Sequence, residues 1–262
     1  MADFNDQVVI VTGGAKGIGE GLCFAFAEAG ASVLCADVDD TAGAAIEERG
    51  TELPGSIRYL SGDVSQDPVC AQLVQTAMSD YGGLHIVCNN VGIQPTNSYL
   101  PAHELPEAMW DRIIDVNLKS AFLMSRHAIP EMKLQGGGVI INTASVQGLQ
   151  SAKGVSAYAA SKGGMLSLTR QLALEYAEDN IRVLAVNPGT IDTPLVDEAL
   201  VAMGADSQEF RDQMAAAHPI GRIGKPSEIA NVFLFLASDA ASFMTGEYVC
   251  VDGGMMAKGS WA

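Results

Sequence analysis

Short apolar runs rich in β-branched residues alternate along the chain with longer stretches whose apolar positions recur at helical spacing. Runs at 7–11 (QVVIV), 31–36 (ASVLCA), 57–62 (IRYLSG), 84–89 (LHIVCN), 138–144 (GVIINTA), 181–187 (IRVLAVN) and 248–251 (YVCV) predict seven strands. Stretches at 17–30, 41–49, 68–81, 106–134, 158–178 and 226–238 predict the helices. Most of the strand runs are apolar at nearly every position. A strand covered on one face alternates apolar with polar residues, whereas one covered on both faces does not. The pattern therefore predicts an α/β fold, a doubly wound parallel sheet of about seven strands with helices on both faces.

Two stretches break the alternation. Residues 92–106 (GIQPTNSYLPAHELP) hold three prolines, and residues 188–224 read as one long connection. Both follow the carboxyl ends of predicted strands, where an open α/β sheet holds its ligands. Long connections there are more often functional than decorative, and we place a substrate loop at about 190–215. No linker, repeat or low-complexity tract interrupts residues 1–262, so a single domain is expected.

Composition narrows the class. Of 262 residues, 48% are hydrophobic and 18% charged, enough apolar material for a sizeable core. The longest apolar runs, such as VFLFLA at 232–237, fall far short of the ~20 residues of a membrane span. The acidic start MADFNDQ lacks the layout of a signal peptide, so a cytoplasmic protein is expected. A formal net charge of −16 disfavours nucleic acid and anionic membranes as partners. Five cysteines without CxxC spacing read as small buried hydrophobes, and four scattered histidines predict no metal site.

Candidate chemistry begins at TGGAKGIG, 12–19, between the first predicted strand and helix. Gly13, Gly17 and Gly19 allow a tight turn and close approach of a ligand to the main chain. A helix N-terminus beyond them suits a pyrophosphate. Asp37 ends the second strand, where a carboxylate can accept bonds from an adenosine ribose and repel a 2′-phosphate. This favours NAD (NADH) over NADP. Lys16 pulls the other way, since an ammonium in the loop can pair with that phosphate. Asp63 and Val64 follow the third strand, placed either to meet an adenine or to form a helix-entry turn. Asn90 and Gly92 follow the fourth, placed to line the middle of a dinucleotide or to tie loops together.

Tyr158 and Lys162 in YAASK share a helix face at i and i+4. A tyrosine titrates near ~10, and a nearby ammonium would lower that value, giving an acid/base able to exchange a proton with a hydroxyl or carbonyl. Ser145, just past the fifth strand, is placed either to hold the reacting oxygen or to cap a turn.

The chain resembles the short-chain dehydrogenase/reductase superfamily in its common single-domain branch. The likeness runs nearly end to end, through TGGAKGIG, Asp37, DV at 63–64, NNVG at 89–92, DVN at 115–117, Ser145, YAASK, NPG at 187–189, Thr193 and VDGG at 251–254. It implies a Rossmann-like fold and hydride transfer between a secondary alcohol and a nicotinamide without a metal. It also implies Tyr158 as acid/base, Lys162 on the nicotinamide ribose, Ser145 orienting the reacting oxygen and Asn117 supporting a water relay to the lysine. Ile18, Asp37, Asp63, Val64, Asn90, Tyr158, Lys162 and Ile191 would touch the cofactor, with Pro188 and Gly189 walling the nicotinamide and Thr193 contacting its carboxamide or phosphate. Val91 departs from the alanine usual there. A homotetramer is the family's usual assembly, with the long helices, the last helix and strand, and a tail carrying Trp261 as contact surfaces.

The substrate is a small alcohol or ketone. Gln94 and Gln147 suit a sugar or polyol if they point inward, and are solvent-facing amides if they do not. Leu195, Val196, Leu200, Met203 and Met214 offer an apolar lid for a less polar ketone. The alternative activity is 3-oxoacyl-[acyl-carrier-protein] reduction. It ranks second because an acidic carrier needs a basic dock, and Leu174 stands where such reductases usually show Arg. A non-catalytic nucleotide-binding scaffold ranks below both, since Asn117, Ser145, Tyr158 and Lys162 are all present.

Overall fold

A computed structural model describes residues 3–203 and 207–259, without the side chains of 199–203 and 207. The expectation for Trp261 and the side chains of Leu200 and Met203 lie outside the described residues. Seven strands form one parallel sheet in the order β3-β2-β1-β4-β5-β6-β7. They are β1 (Val8–Thr12), β2 (Ser32–Asp37), β3 (Ser56–Ser61), β4 (Ile86–Asn89), β5 (Gly138–Thr143), β6 (Ile181–Pro188) and β7 (Tyr248–Val251). Each begins and ends within two residues of its predicted run.

Successive residues of β1 face opposite sides, and both sides are apolar. Val9 and Val11 join Val33, Cys35, Leu22, Phe26, Phe233 and Leu236 in one core. Val8 and Ile10 join Leu34, Leu73, Val87, Met124 and Ile140 in the other. The first core is roofed by α1 (Gly17–Glu28) and α9 (Pro226–Ala237), the second by α3 (Asp67–Tyr81) and α5 (Ser120–Leu134). This two-sided burial is why the strands read as unbroken apolar runs.

Local signals set the helix ends. Asp39 caps α2 (Asp40–Arg49) by accepting from the Ala42 amide at 3.0 Å. Pro68 lies in the first turn of α3, and left-handed Gly82 ends it. The stretch predicted as one helix over 106–134 is instead three pieces. They are α4 (Glu107–Ile114), a π-helical turn at Asp115–Lys119, and α5. The supposed long connection after β6 also folds into α7 (Pro194–Met203) and α8 (Ser207–Ala217). The remaining helix, α6 (Ser156–Tyr176), carries the YxxxK pair.

Order reverses between β1 and β4, whose chains leave the sheet in opposite directions. The crevice this opens at their carboxyl ends is where the candidate residues gather.

Candidate active site

The loop from β1 to α1 holds Gly13 at φ +62° and Gly17 at φ +58°, conformations that favour glycine. At Gly19 a Cβ would lie 2.0 Å from the Gly13 carbonyl oxygen, so the turn closes only without a side chain. These three residues and Ile18 form one end of the crevice. Asn90 braces the loop by donating from Nδ2 to the carbonyls of Thr12 (3.1 Å) and Gly13 (3.0 Å). The loop-tying role anticipated for Asn90 is therefore present, and Asn90 and Gly92 also line the cavity.

Asp37 sits at the end of β2 facing this loop. Its Oδ2 accepts from the Ala15 amide at 3.0 Å, and its Oδ1 from the amides of Val38 and Asp39. A carboxylate has about four lone-pair positions, so these three bonds orient it and leave about one position for a further donor. Lys16 is engaged with Asp39 at 2.5 Å. Asp63 accepts from the Ser65 amide at 2.9 Å, the turn contact anticipated for it, and also lines the cavity with Val64, which is buried beside it. Thr193 presses on the glycine loop from the β6 side: a Cβ on Gly17 would lie 3.1 Å from Thr193 Cγ2. Pro188, Gly189 and Ile191 complete that wall, and Ile191 forms a bridge to Gly224.

Gly13, Gly17, Ile18, Asp37, Asp63, Val64, Asn90, Gly92, Pro188, Gly189, Ile191 and Thr193 line one cavity of about 1290 Å³ that also reaches Ser145, Gln94, Gln147, Tyr158 and Lys162. Lys162 is 2% exposed, and its Nζ donates to the Thr143 carbonyl at 2.7 Å. It lies 5.7 Å from the centroid of the Tyr158 ring. Ser145 Oγ accepts from the Gln147 amide at 3.1 Å and hydrogen-bonds with the Tyr158 phenol. The turn-capping role considered for Ser145 is present, and its hydroxyl also stands beside the Tyr158 phenol.

The electrostatics differ from the sequence expectation. Burial pushes the Tyr158 phenol up to about 12, and the Ser145 bond only partly opposes this. Burial also pushes Lys162 down to about 8, so the ammonium that was to acidify the phenol is itself costly to charge here.

Asn117 is fully buried in the π turn and clasps the loop after β4. Its Oδ1 accepts from the Ile93 amide at 2.7 Å, while its Nδ2 donates to the Ile93 carbonyl at 3.0 Å and to Ser161 Oγ at 3.2 Å. It thereby joins the segment bearing Gln94 to the helix bearing Tyr158 and Lys162.

Sequence reasoning missed several participants. Tyr99 lines the cavity near Tyr158 and helps raise its pKa. Thr143 holds Lys162. His218, 2% exposed, accepts from the Thr190 amide at 3.0 Å and bonds the Met214 carbonyl at 2.7 Å, tying α8 to the wall after β6. For α7 a signal was present: Thr193-Pro194 followed by Asp197 and Glu198 reads as a helix start.

Comparison with known proteins agrees with this architecture. The sequence family described as Enoyl-(Acyl carrier protein) reductase matches residues 13–256. A cyclohexanol dehydrogenase of Acinetobacter sp. (strain SE19) is 38% identical, with 97% of each chain covered. A cis-4-hydroxycyclohexanecarboxylate dehydrogenase of Sinomonas cyclohexanicum is 39% identical, covering 97% of this chain and 98% of that one. The crystal structure of 3-ketoacyl-(acyl-carrier-protein) reductase from Brucella melitensis complexed with NADH superposes with a TM-score of 0.88 at 31% identity, over 97% of this chain and 99% of that one. The chain belongs to the short-chain dehydrogenase/reductase superfamily, a family of nicotinamide-dependent enzymes, and is an oxidoreductase that interconverts secondary alcohols and ketones. Among the described residues no helix is long and apolar enough to cross a membrane.

Proposed function

We propose that this enzyme is an NAD(H)-dependent dehydrogenase in which Tyr158 is the acid/base, Ser145 and Lys162 its partners, and Asp37 the selector of NAD over NADP. The observation that carries this reading is the convergence of Tyr158, Ser145 and Lys162 in the cavity that also holds the glycine loop and Asp37. That loop fits a pyrophosphate, because its glycines leave the space side chains would fill and α1 begins at Gly17.

In alcohol oxidation, Ser145 holds the hydroxyl oxygen and Tyr158 takes its proton. A nicotinamide bound in the cavity would supply the hydride acceptor for the carbinol carbon, and the hydride donor in the reverse direction. Lys162, fixed by Thr143, stabilises negative charge on the phenol oxygen and would hold the ribose of a bound cofactor. Asn117 supports the lysine side of the site. Because the phenol stands high before the cofactor binds, oxidation gains rate with rising pH and ketone reduction loses it.

Asp37 supports NAD because a 2′-phosphate beside it would face the carboxylates of Asp37 and Asp39, while Lys16 is already paired with Asp39. Fluorescence titration is expected to give a tighter dissociation constant for NADH than for NADPH. Asp37→Ser narrows that ratio by roughly tenfold, the effect of one charge-assisted hydrogen bond. Tighter NADPH binding by the wild-type chain overturns the assignment.

The substrate class is a neutral small secondary alcohol, with cyclic alcohols, sugars and polyols as candidates. The names of the dehydrogenase relatives support cyclic alcohols. Leu174 is exposed on α6, apolar where docking of an acidic carrier calls for a cation, which counts against carrier-bound substrates. The exposed Trp110, Phe122 and Leu174 on α4, α5 and α6, with Phe235 and Tyr248 near β7, support a homotetramer. Sedimentation is expected to show a particle of four 27.4 kDa chains; a monomer at micromolar concentration rules this out.

A further inference from the structure

Two separate segments wall the large cavity on one side. Met214 lines it from α8, and Gly189, Thr190 and Ile191 line it from the end of β6 onward. His218, one residue beyond α8, joins them without lining the cavity itself. It is 2% exposed. Its Nε2 accepts from the Thr190 amide at 3.0 Å, so the ring carries its proton on Nδ1, which donates to the Met214 carbonyl at 2.7 Å.

The two bonds differ in kind. The Met214 carbonyl is among the last four of α8, which have no partner within the helix, and the ring caps it locally. The Thr190 bond crosses to another element. Thr190 is then held from both sides, its amide by the ring and its carbonyl by the Gly224 amide at 2.9 Å. The backbone also makes room for the ring: a Cβ on Gly189 would lie 2.7 Å from His218 Nε2. Arg211 makes a second link, from Nη1 to Asp192 at 2.6 Å, but that pair is partly exposed, and such pairs hold weakly.

We infer that His218 is a positioning residue for the alcohol: through the Thr190 amide it fixes the wall at 189–191 against Met214, and so the fit of the substrate between them. This rests on the dehydrogenase reading above. Tyr158, Ser145 and Lys162 follow β5 and are not moved by the link, so KM rather than kcat answers to it.

Two variants separate the bonds. Glutamine places an amide oxygen as many covalent bonds from Cβ as Nε2, and serves Thr190. Asparagine places its amide at the reach of Nδ1, and serves only Met214. KM and kcat are measured for whichever of cyclohexanol, inositol, sorbitol and glucose the wild type oxidises fastest, with the nicotinamide coenzyme it uses. His218→Asn is expected to raise KM roughly tenfold with kcat within about threefold, and His218→Gln to keep KM within about threefold of wild type. Amide exchange of the peptide covering Thr190, followed by mass spectrometry, should quicken by roughly five- to tenfold in His218→Asn and stay slow in His218→Gln. Thermal unfolding accompanies both, because a variant that is only less stable keeps the wild-type KM in its folded fraction. Should His218→Asn not fold, His218→Gln carries the test alone, and a raised KM or lost Thr190 protection in it overturns the inference. A KM unmoved in His218→Asn, with or without faster exchange, also overturns it. So does rescue by asparagine and not glutamine, which would leave His218 a helix cap. Each of these results leaves the dehydrogenase reading standing. Nucleotide binding by a wild type that oxidises none of the four alcohols overturns both.

Discussion

Tyr158→Phe is expected to lower kcat for alcohol oxidation by about 1000-fold while leaving NADH affinity within about twofold, as befits loss of a general acid/base rather than of a binding surface. The substitution removes only the phenol oxygen. The ring stays packed in the cavity, and the Ser145 hydroxyl keeps its bond from the Gln147 amide. What disappears is the group proposed to exchange a proton with the substrate oxygen. Residual turnover should also lose the rise with pH expected of the wild type as its phenol, raised to about 12 by burial, begins to ionise. The measurement is steady-state kinetics across pH with nucleotide titration on the same sample. A variant retaining a tenth of wild-type kcat would remove Tyr158 from the chemistry and leave Ser145 or a water to account for the proton.

Lys162→Met is expected to abolish useful turnover yet raise thermal stability at neutral pH. The lysine is buried, and its pKa falls from 10.5 to about 8 on folding. At about 1.36 kcal/mol per pH unit this is a penalty of about 3 kcal/mol. Below pH 8 the lysine is protonated in both folded and unfolded chains, so the folded state carries the whole penalty. Between pH 8 and 10.5 the unfolded chain holds the proton that the folded chain has released, and the penalty fades. Methionine removes it but leaves the Thr143 carbonyl without its donor, a loss of about 1–2 kcal/mol. The balance at pH 7 is a gain of about 1–2 kcal/mol, or a few degrees in Tm for a chain of this size. By about pH 10 the gain should vanish or reverse. Thermal unfolding at both pH values decides it; a variant less stable than wild type at pH 7 means that the ammonium is held by more than the Thr143 bond.

The strands and most helices were legible in the sequence because both faces of the sheet are buried, and β1 reads VVIVT for that reason alone. The glycine loop and YxxxK were legible because close approach and helical spacing leave short local signatures. The π turn at Asp115–Lys119 was not, since one extra residue in a helical turn hardly disturbs an amphipathic pattern. Asn117 sits in that turn, held by buried bonds to Ile93 and Ser161. The relation between Tyr158 and Lys162 was legible as proximity but misjudged as electrostatics, because desolvation depends on the packing of many distant residues. His218 was missed for a related reason: its partners, Thr190 and Met214, belong to two different elements.

The close approach of Thr193 to Gly17 ties the start of α7 to the glycine loop, the cradle of the proposed nucleotide site. Grafting α7 and α8 from a relative to change the accepted alcohol would therefore also disturb the cradle. An engineer should expect selectivity and coenzyme grip to drift together, and should redesign residue 193 along with the graft.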